Sequence, residues 1–163
     1  MEFYYPNFIN DHWRIEGEVF FGDRNHFVVP GQKKFDREAI VAFCQEKGIA
    51  FYDTASAVRR LKDNASDEFL EVVEPTDIRW LLDQLPHCEA IVTTGQKATS
   101  TLCQYFGNED VPKVNTSTAI PGILNHDCHE VRLYRLPSSS RAYPLAFDKK
   151  VAAYRRMFTD VGM

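Results

Sequence analysis

Long apolar runs are missing from this chain of 163 residues. No stretch approaches the roughly 20 consecutive apolar residues that a membrane-spanning helix needs. The first residues, MEFYYP, also lack the basic region and apolar stretch that are typical of a signal peptide. We therefore expect a cytoplasmic protein that does not use a membrane as a partner. The length suits one domain with a sizeable core.

Closely spaced cysteines are also missing. The four cysteines lie at positions 44, 88, 103 and 128, and no two of them form a CxxC pair. Zinc ribbons and iron–sulfur sites usually show closer spacing, so we expect buried free thiols and no metal. The alternative is a metal site in residues 126–129 (HDCH), but that turn-like stretch has no second pair of ligands beside it.

An overall excess of positive charge is absent, because the formal net charge is −4. The distribution is nevertheless uneven. Residues 53–89 contain nine acidic and four basic residues, whereas residues 132–156 contain seven basic residues and one acidic residue, Asp148. The second segment therefore carries a net charge of +6, and contact with phosphates requires a locally basic face of this kind. A solvated helix face would explain the same charges.

Apolar residues at helical spacing alternate along the chain with short apolar runs typical of buried strands. The spacing predicts helices over 35–47, 77–85, 97–106 and 145–158. Strands are predicted over 49–52, 90–94 and 131–136, with a possible short strand over 112–115 and an irregular polar stretch over 53–67. Such alternation favours a mostly parallel sheet. Because ligands of such sheets bind beyond the carboxyl ends of the strands, we expect a site where the loops at Asp53, Thr93 and Pro137 meet.

Four segments, taken in order, resemble the uracil-DNA glycosylase superfamily, especially its mismatch-specific and hypoxanthine-type branches. The first is YPNFINDHW at 5–13, in which Tyr5, Asn10 and Trp13 match the family's aromatic-x-H-P-x-N-x-F-W segment and His12 replaces its Phe. The second is GIAFYDT at 48–54, followed by a Ser-Asp pair at 66–67. The third is IVTTGQKA at 91–98. The fourth, LPSSS at 136–140, is similar to the family's second signature, H-P-S-P or N-P-S.

This resemblance implies a three-layer α/β/α fold with a mostly parallel central sheet, in a single domain over 1–163. It also implies an incomplete N-terminus, because the family's first signature precedes the segment at 5–13. That signature is a strand ending in a G-x-x-P loop, which carries the catalytic Asn or Asp in most branches. Loss of such a strand would leave backbone groups unpaired. A partner chain that supplies a strand would make the protein an oligomer.

The activity that the resemblance implies is hydrolysis of the bond between a base and its sugar in DNA. The nucleotide is extruded into a pocket, where a positioned water and dipoles stabilise the developing charge, and no metal or cofactor is required. By resemblance Asn10 is the catalytic candidate, although helix capping would also explain this residue. Tyr5 would stack on the flipped base, and Thr94 and Asp53 would contact it. Turn capping is the other explanation for Asp53.

DNA contacts are expected at the serine-rich segment, where Ser138, Ser139 and Ser140 would bind phosphates and Arg141 would reach into or across the groove. Leu136 departs from the family, whose His or Asn at this position stabilises the departing base. Loss of that donor would lower the rate on the order of 10²–10³-fold, by analogy with oxyanion-hole deletions. Two alternatives stay open. One is an inactive superfamily member that still binds nucleic acid or a nucleotide, and the other is a different hydrolase, for which only Asp53 and the Asp at 67 offer an acid/base pair.

Overall fold

The computed structural model describes residues 3–60, 70–108 and 110–163. Its helices are α1 (His12–Phe21), α2 (Arg37–Lys47), α3 (Ile78–Asp83), α4 (Gln96–Phe106) and α5 (Phe147–Asp160), and its strands are β1 (Ala55–Arg60), β2 (Leu70–Pro75), β3 (Ala90–Thr94), β4 (Thr116–Leu124) and β5 (Glu130–Leu136). In these ranges none of the helices combines the length and hydropathy of a membrane span. The chain divides into two compact units, unit 1 with Met1–Phe51 and Pro137–Met163, and unit 2 with Tyr52–Leu136.

The helices of unit 1 begin and end where the sequence supplies caps. At the start of α2, the Asp36 side chain accepts a hydrogen bond from a backbone N–H of the first turn, at 3.1 Å. Glu38 near the start and Lys47 near the end complement the helix dipole. Gly48 then adopts the left-handed conformation, φ 66°, and Gly22 ends α1 in the same conformation.

Aromatic side chains form the core of unit 1. The buried cluster consists of Trp13, Phe27, Phe35, Ile40 and Phe43. Phe20 connects α1 to the other two helices, because its ring centroid lies 5.0 Å from that of Phe43 and 4.7 Å from that of Phe158. Aromatic pairs of this kind add about 0.5–1.5 kcal/mol each beyond the area that they bury. Gly17 permits a close approach on the same helix, since a Cβ there would lie 2.6 Å from the carbonyl oxygen of Asp23.

Unit 2 contains two small sheets. In the three-stranded sheet, β5 lies in the middle, parallel to β3 and antiparallel to β4. The register pairs Thr94 with Leu136, so the two parallel strands end at the same edge. Strands β1 and β2 form a separate antiparallel pair. The core of this unit consists of Ile78, Leu102, Cys103, Ile120, Ile123, Val131 and Leu133.

The predicted α/β class is confirmed, whereas the described sheets are not mostly parallel as predicted, because only β3 and β5 pair in parallel. Six elements lie within two residues of their predicted bounds. These are the helices α2, α3, α4 and α5 and the strands β3 and β5. The sheet is mixed, because β4 runs antiparallel to β5 in the part of the chain that the structure describes. The single domain over 1–163 stays a prediction.

Three local predictions are wrong. Residues 49–52 are not a strand, because Phe51 packs with the aromatic core of unit 1 and pairs with no strand. Residues 112–115 end in a turn with Asn115 at φ 66°, and the strand β4 follows that turn. The irregular stretch predicted over 53–67 contains β1 from Ala55 to Arg60, and residues 61–67 lie outside the described residues. Strand β4 escaped prediction because Pro121 and Gly122 interrupt its apolar pattern.

Candidate functional site

The loop before α1 turns through two asparagines. Asn7 Oδ1 accepts the backbone N–H of Ile9 at 3.1 Å, and Asn10 Oδ1 accepts that of His12 at 2.9 Å. The N-cap residue of α1 is Asp11, and Asn10 lies one residue before it, where its side chain caps the backbone N–H of the first helical residue. This hydrogen bond uses the Oδ1 atom, so Nδ2 is the atom of Asn10 that would act on a substrate.

Asp11 joins the start of α1 to a segment 130 residues further along the chain, residues 137–141, which we call the serine loop. Its backbone N–H donates to the carbonyl oxygen of Ser139 at 3.1 Å. Its Oδ1 accepts a hydrogen bond from Arg141 Nε at 2.8 Å. The Asp11 side chain is nearly buried and that of Arg141 is half exposed. The first and the last of the four resembling segments are therefore in direct contact within unit 1.

The helix α5 holds the serine loop from the other side. Lys150 is only 2% exposed, and its Nζ donates to the carbonyl oxygen of Ser140 at 2.6 Å. Within the loop, Ser138 Oγ accepts the N–H of Ser140, and Ser140 Oγ accepts the N–H of Ala142, both at 3.2 Å. Contacts from α1, from α5 and within the loop thus fix its conformation.

Three basic side chains surround the Asp11 carboxylate. Arg14 Nη1 lies 3.9 Å from Asp11 Oδ1, and Arg141 and Lys150 act on it as well. Burial lowers the pKa of Lys150 from its ordinary value, whereas the attraction of Asp11 opposes that shift. Burial also lowers the pKa of Arg14, whose guanidinium lies 4.3 Å from the centroid of the Phe8 ring. Asp11 therefore serves as a counter-charge and is poorly placed to act as a general base.

The helix α1 also carries a buried pair of ionisable side chains that lie one turn apart. His12 and Glu16 are 4% and 3% exposed, and His12 Nε2 lies 3.6 Å from Glu16 Oε1. Burial lowers the pKa of His12 to about 3 and raises that of Glu16 to about 8, so both side chains are neutral at pH 7. Burial likewise raises the pKa of Tyr154 on α5, and a hydrogen bond with the Ser139 side chain opposes this shift.

Tyr5 lies against this buried pair. Its ring stacks on that of His12, with 4.1 Å between the centroids and 18° between the planes, and Phe51 meets it edge-on at 6.1 Å. Tyr5 also has φ 53°, a left-handed conformation that is uncommon for a bulky residue. A flipped base would therefore use the other face of Tyr5 or take the place of His12 beside it.

The remaining predicted base contacts lie in unit 2. Thr94 is half-buried at the end of β3, before Gly95, which has φ 117° and precedes α4. Asp53 is exposed, and its carbonyl oxygen accepts a hydrogen bond from the Thr76 hydroxyl at 2.6 Å. The predicted site residues are thus divided between the units, with Tyr5 and Asn10 in unit 1 and these two in unit 2.

Ser139 of the predicted DNA site is buried, and so is Leu136, the residue that departs from the family. Ser139 is engaged through its carbonyl oxygen and its side chain, so a phosphate would meet Ser138, Ser140 and Arg141 instead. Leu136 is 2% exposed at the end of β5 and offers no hydrogen-bond donor from its side chain. The position that carries His or Asn in the resembling family is therefore an apolar core position here.

The sequence interpretation missed the buried polar groups Arg14, Glu16 and Lys150. Two features of the sequence point to buried polar groups on these helices. His12 stands where the resemblance expects Phe, and Glu16 follows at i+4, so the two share one face of a helix. Lys150 precedes Tyr154 by one turn, so the two share one face of α5, and both are buried.

The described residues contain no group of three or more His, Cys, Asp or Glu side chains that could hold a metal ion. In the stretch considered as an alternative metal site, Asp127 Oδ2 lies 2.8 Å from His87 Nδ1, and both side chains are exposed. The hydrogen bond with His87 lowers the pKa of Asp127. The cysteines are free thiols. Cys103 is buried as predicted, whereas Cys128 is exposed.

Comparison with known proteins gives no family for this chain. No family model matches it, and no curated protein and no solved structure is similar enough to count as a match. The resemblance carried by the four segments therefore stays a prediction, and the argument for a function depends on the geometry described above.

Proposed function

We propose that this chain is a DNA glycosylase-like protein that binds DNA, holds a flipped deaminated or mismatched base and hydrolyses the N-glycosidic bond of that base. The observation that supports the proposal is the double contact of Asp11 with the serine loop, through its backbone N–H and its carboxylate. A base-flipping site needs an aromatic face, an amide and phosphate-binding groups close together. Unit 1 supplies these groups from segments far apart in sequence: Tyr5, Asn10 and Ser138.

Each group has a distinct part in this proposal. Asn10 orients the attacking water or the base through Nδ2, since its Oδ1 accepts the N–H of His12. Tyr5 stacks on the base, while Ser138, Ser140 and Arg141 contact the backbone phosphates. The predicted base contacts Thr94 and Asp53 belong to unit 2 and have no part in this proposal. We also propose a three-layer α/β/α fold of the uracil-DNA glycosylase type.

The second candidate function is a binding module that grips nucleic acid without hydrolysing it. Leu136 favours it, because a buried leucine cannot stabilise the negative charge of a departing base. Asp11 favours it as well, because its carboxylate is paired with Arg141. Both candidates use the same surface and differ only in the chemical step.

An assay of base release separates the two candidates. The full chain is incubated with labelled duplexes that contain one uracil, one hypoxanthine or one mismatch, and abasic sites are converted to strand breaks by alkali. A glycosylase releases the base from at least one duplex. A binding module raises the fluorescence anisotropy of a labelled duplex and yields no breaks. Neither binding nor release with any duplex would contradict both candidates.

Two substitutions of Asn10 separate its capping role from a catalytic role. Asn10→Ala removes the cap and should lower the free energy of unfolding by about 1 kcal/mol, whereas Asn10→Asp keeps a capping oxygen and should change it by a few tenths. Both lack the Nδ2 donor, so both should release base on the order of 10²–10³-fold more slowly. Asn7→Asp, which alters the equivalent turn of the same loop, is the matched control. Full activity of Asn10→Asp would remove Asn10 from the mechanism.

A further inference from the structure

The buried pair of His12 and Glu16 lacks the hydrogen bonds that such groups usually have. Both ring nitrogens of His12 and Oε2 of Glu16 have no partner among the described residues. The 3.6 Å between His12 Nε2 and Glu16 Oε1 is too long for a strong hydrogen bond. Buried polar groups without partners are costly, and buried charges without partners are more so. The pair therefore fits this fold only while both groups are neutral.

Among the described residues, the elements packed around the pair supply no charge that would stabilise an ionised form. Tyr5 faces the pair from the loop before α1, residues 3–11, which we call the N-terminal loop, while Cys44 faces it from α2 and Tyr154 from α5. Burial raises the pKa of Cys44 to about 11 and that of Tyr154 well above its ordinary value, so both stay neutral. The nearby charges are engaged elsewhere, because Asp11 is directed at Arg141 of the serine loop and Arg14 at the carbonyl oxygen of Phe8.

Of the elements packed around the pair, the N-terminal loop needs the least free energy to move away. Tyr5 is half-buried and has the left-handed φ of 53°, which stores backbone strain in the closed position. By contrast, Tyr154 is 1% exposed in the middle of a 14-residue helix. The loop is held down by Trp13 Nε1, which donates to the carbonyl oxygen of Tyr4 at 3.0 Å.

We propose that His12 and Glu16 form a pH switch for the N-terminal loop. While the pair is neutral, Tyr5 lies flat on His12 and closes the loop over α1. When either group becomes charged, Tyr5 separates from His12, and water reaches the charged group. The switch is independent of the proposed function, and its test uses no DNA.

The two pKa shifts define the window in which the closed state is most stable. The pKa of Glu16 is about 4.5 in the unfolded chain and about 8 in the folded one, so the folded state holds more protons in that range and loses stability as the pH rises. The pKa of His12 falls from 6.5 to about 3 on folding, so stability is lost as the pH drops through that range. The two slopes cancel between about pH 4.5 and 6.5. Outside this window, the pair lowers the folding equilibrium constant about tenfold per pH unit, down to pH 3 and up to pH 8.

These slopes are tested by urea unfolding of the wild type and four variants from pH 3.5 to 8.5. Relative to the wild type, Glu16→Gln should remove the loss above pH 6.5 and leave stability rising between pH 4.5 and 6.5. His12→Phe should make stability fall over the whole range from 4.5 to 8, and the double variant should be flat in the contribution of the pair. Glu18→Gln, two residues along the same helix, is the control and should keep the wild-type profile. A Glu16→Gln profile that is identical to the wild type would overturn the proposal.

A local measurement on the intact protein covers the case in which a variant does not fold. The chain has two tryptophans, so Trp80→Phe leaves Trp13, which lies edge-on to His12 at 4.9 Å, as the sole reporter. Its emission should shift to the red between pH 7 and 8.5, while the far-ultraviolet circular dichroism stays constant. The shift should be absent after Glu16→Gln. An emission that stays constant, or that changes only when the whole protein unfolds, would overturn the switch.

Discussion

At the scale of single residues, Arg14 shows how this chain stabilises a buried charge. Its Nη1 donates to the carbonyl oxygen of Phe8 at 2.9 Å and to that of Asn10 at 3.3 Å. Its guanidinium also lies over the rings of Phe8 and Phe35, at 4.3 and 5.1 Å. A planar guanidinium can stack on the rings with its face while its edge donates both hydrogen bonds. Arg14 therefore fixes the loop that carries Asn10 and Tyr5.

We predict that Arg14→Lys lowers the free energy of unfolding by about 1–3 kcal/mol, because it leaves buried carbonyl groups unsatisfied and removes the stacking. Urea denaturation measures the change. Arg24→Lys is the matched control, since Arg24 lies over the Phe147 ring at 4.5 Å but is exposed, and it should lose less than 1 kcal/mol. Equal effects of the two substitutions would show that burial of Arg14 does not matter.

At the scale of secondary-structure elements, the serine loop depends on α5 through one buried amine. Lys150 Nζ donates to the carbonyl oxygen of Ser140, and the same amine adds to the positive charge around Asp11. We predict that Lys150→Met lowers the free energy of unfolding by about 1–3 kcal/mol, because the methionine fills the space but cannot donate. The neighbouring residue Lys149 is exposed, and Lys149→Met should change it by less than 0.5 kcal/mol.

Limited proteolysis shows where that stability is lost. Arg141 is the last residue of the serine loop and is exposed, so trypsin cleaves after it once the loop leaves its closed conformation. Cleavage after Arg141 should be faster in Lys150→Met than in the wild type, at a urea concentration well below the unfolding transition. If the two proteins are cut at the same rate, the amine stabilises the unit as a whole and not the loop in particular.

The elements that could be predicted are those whose signals are local. The helix α2 carries its own cap and stop, and β3 is a short apolar run closed by a glycine. Strand β4 could not be predicted because Pro121 and Gly122 interrupt its apolar pattern, and charged residues interrupt the patterns of β1 and β2 in the same way. The run at 49–52 was wrongly predicted as a strand, since an apolar residue such as Phe51 fits an aromatic core as well as a sheet.

The candidate site likewise contains features that local sequence signals predict and features that they do not. Asn10 as a cap and the closeness of the serine loop to the first segment followed from sequence and resemblance. Lys150 and Glu16 did not, because hydropathy assigns a lysine or a glutamate to the surface. Only the three-dimensional arrangement shows that one reaches a buried carbonyl oxygen and that the other has a histidine beside it.

At the scale of the whole molecule, the charge distribution limits how DNA could be bound. Of the seven basic residues between 132 and 156, two belong to unit 2 and are engaged there: Arg132 donates to Ser117 Oγ at 3.0 Å, and Arg135 to the carbonyl oxygen of Pro112 at 3.0 Å. The other five belong to unit 1, and four of these are exposed: Arg141, Lys149, Arg155 and Arg156. Phosphate contacts of this segment are therefore expected from the loop before α5 and from α5 itself.

Salt dependence of DNA binding tests that expectation. A plot of log Kobs against log salt concentration has a negative slope. Each lost phosphate contact on a duplex makes that slope about 0.9 less negative. Lys149 and Arg156 are seven residues apart on α5 and therefore share one face. The double substitution Lys149→Ala and Arg156→Ala should make the slope about 1.8 less negative in fluorescence anisotropy titrations. Arg79→Ala, in the acidic segment of unit 2, should leave the slope unchanged. If the Arg79 variant changes the slope and the α5 variant does not, DNA binds elsewhere, and α5 has no part in holding it.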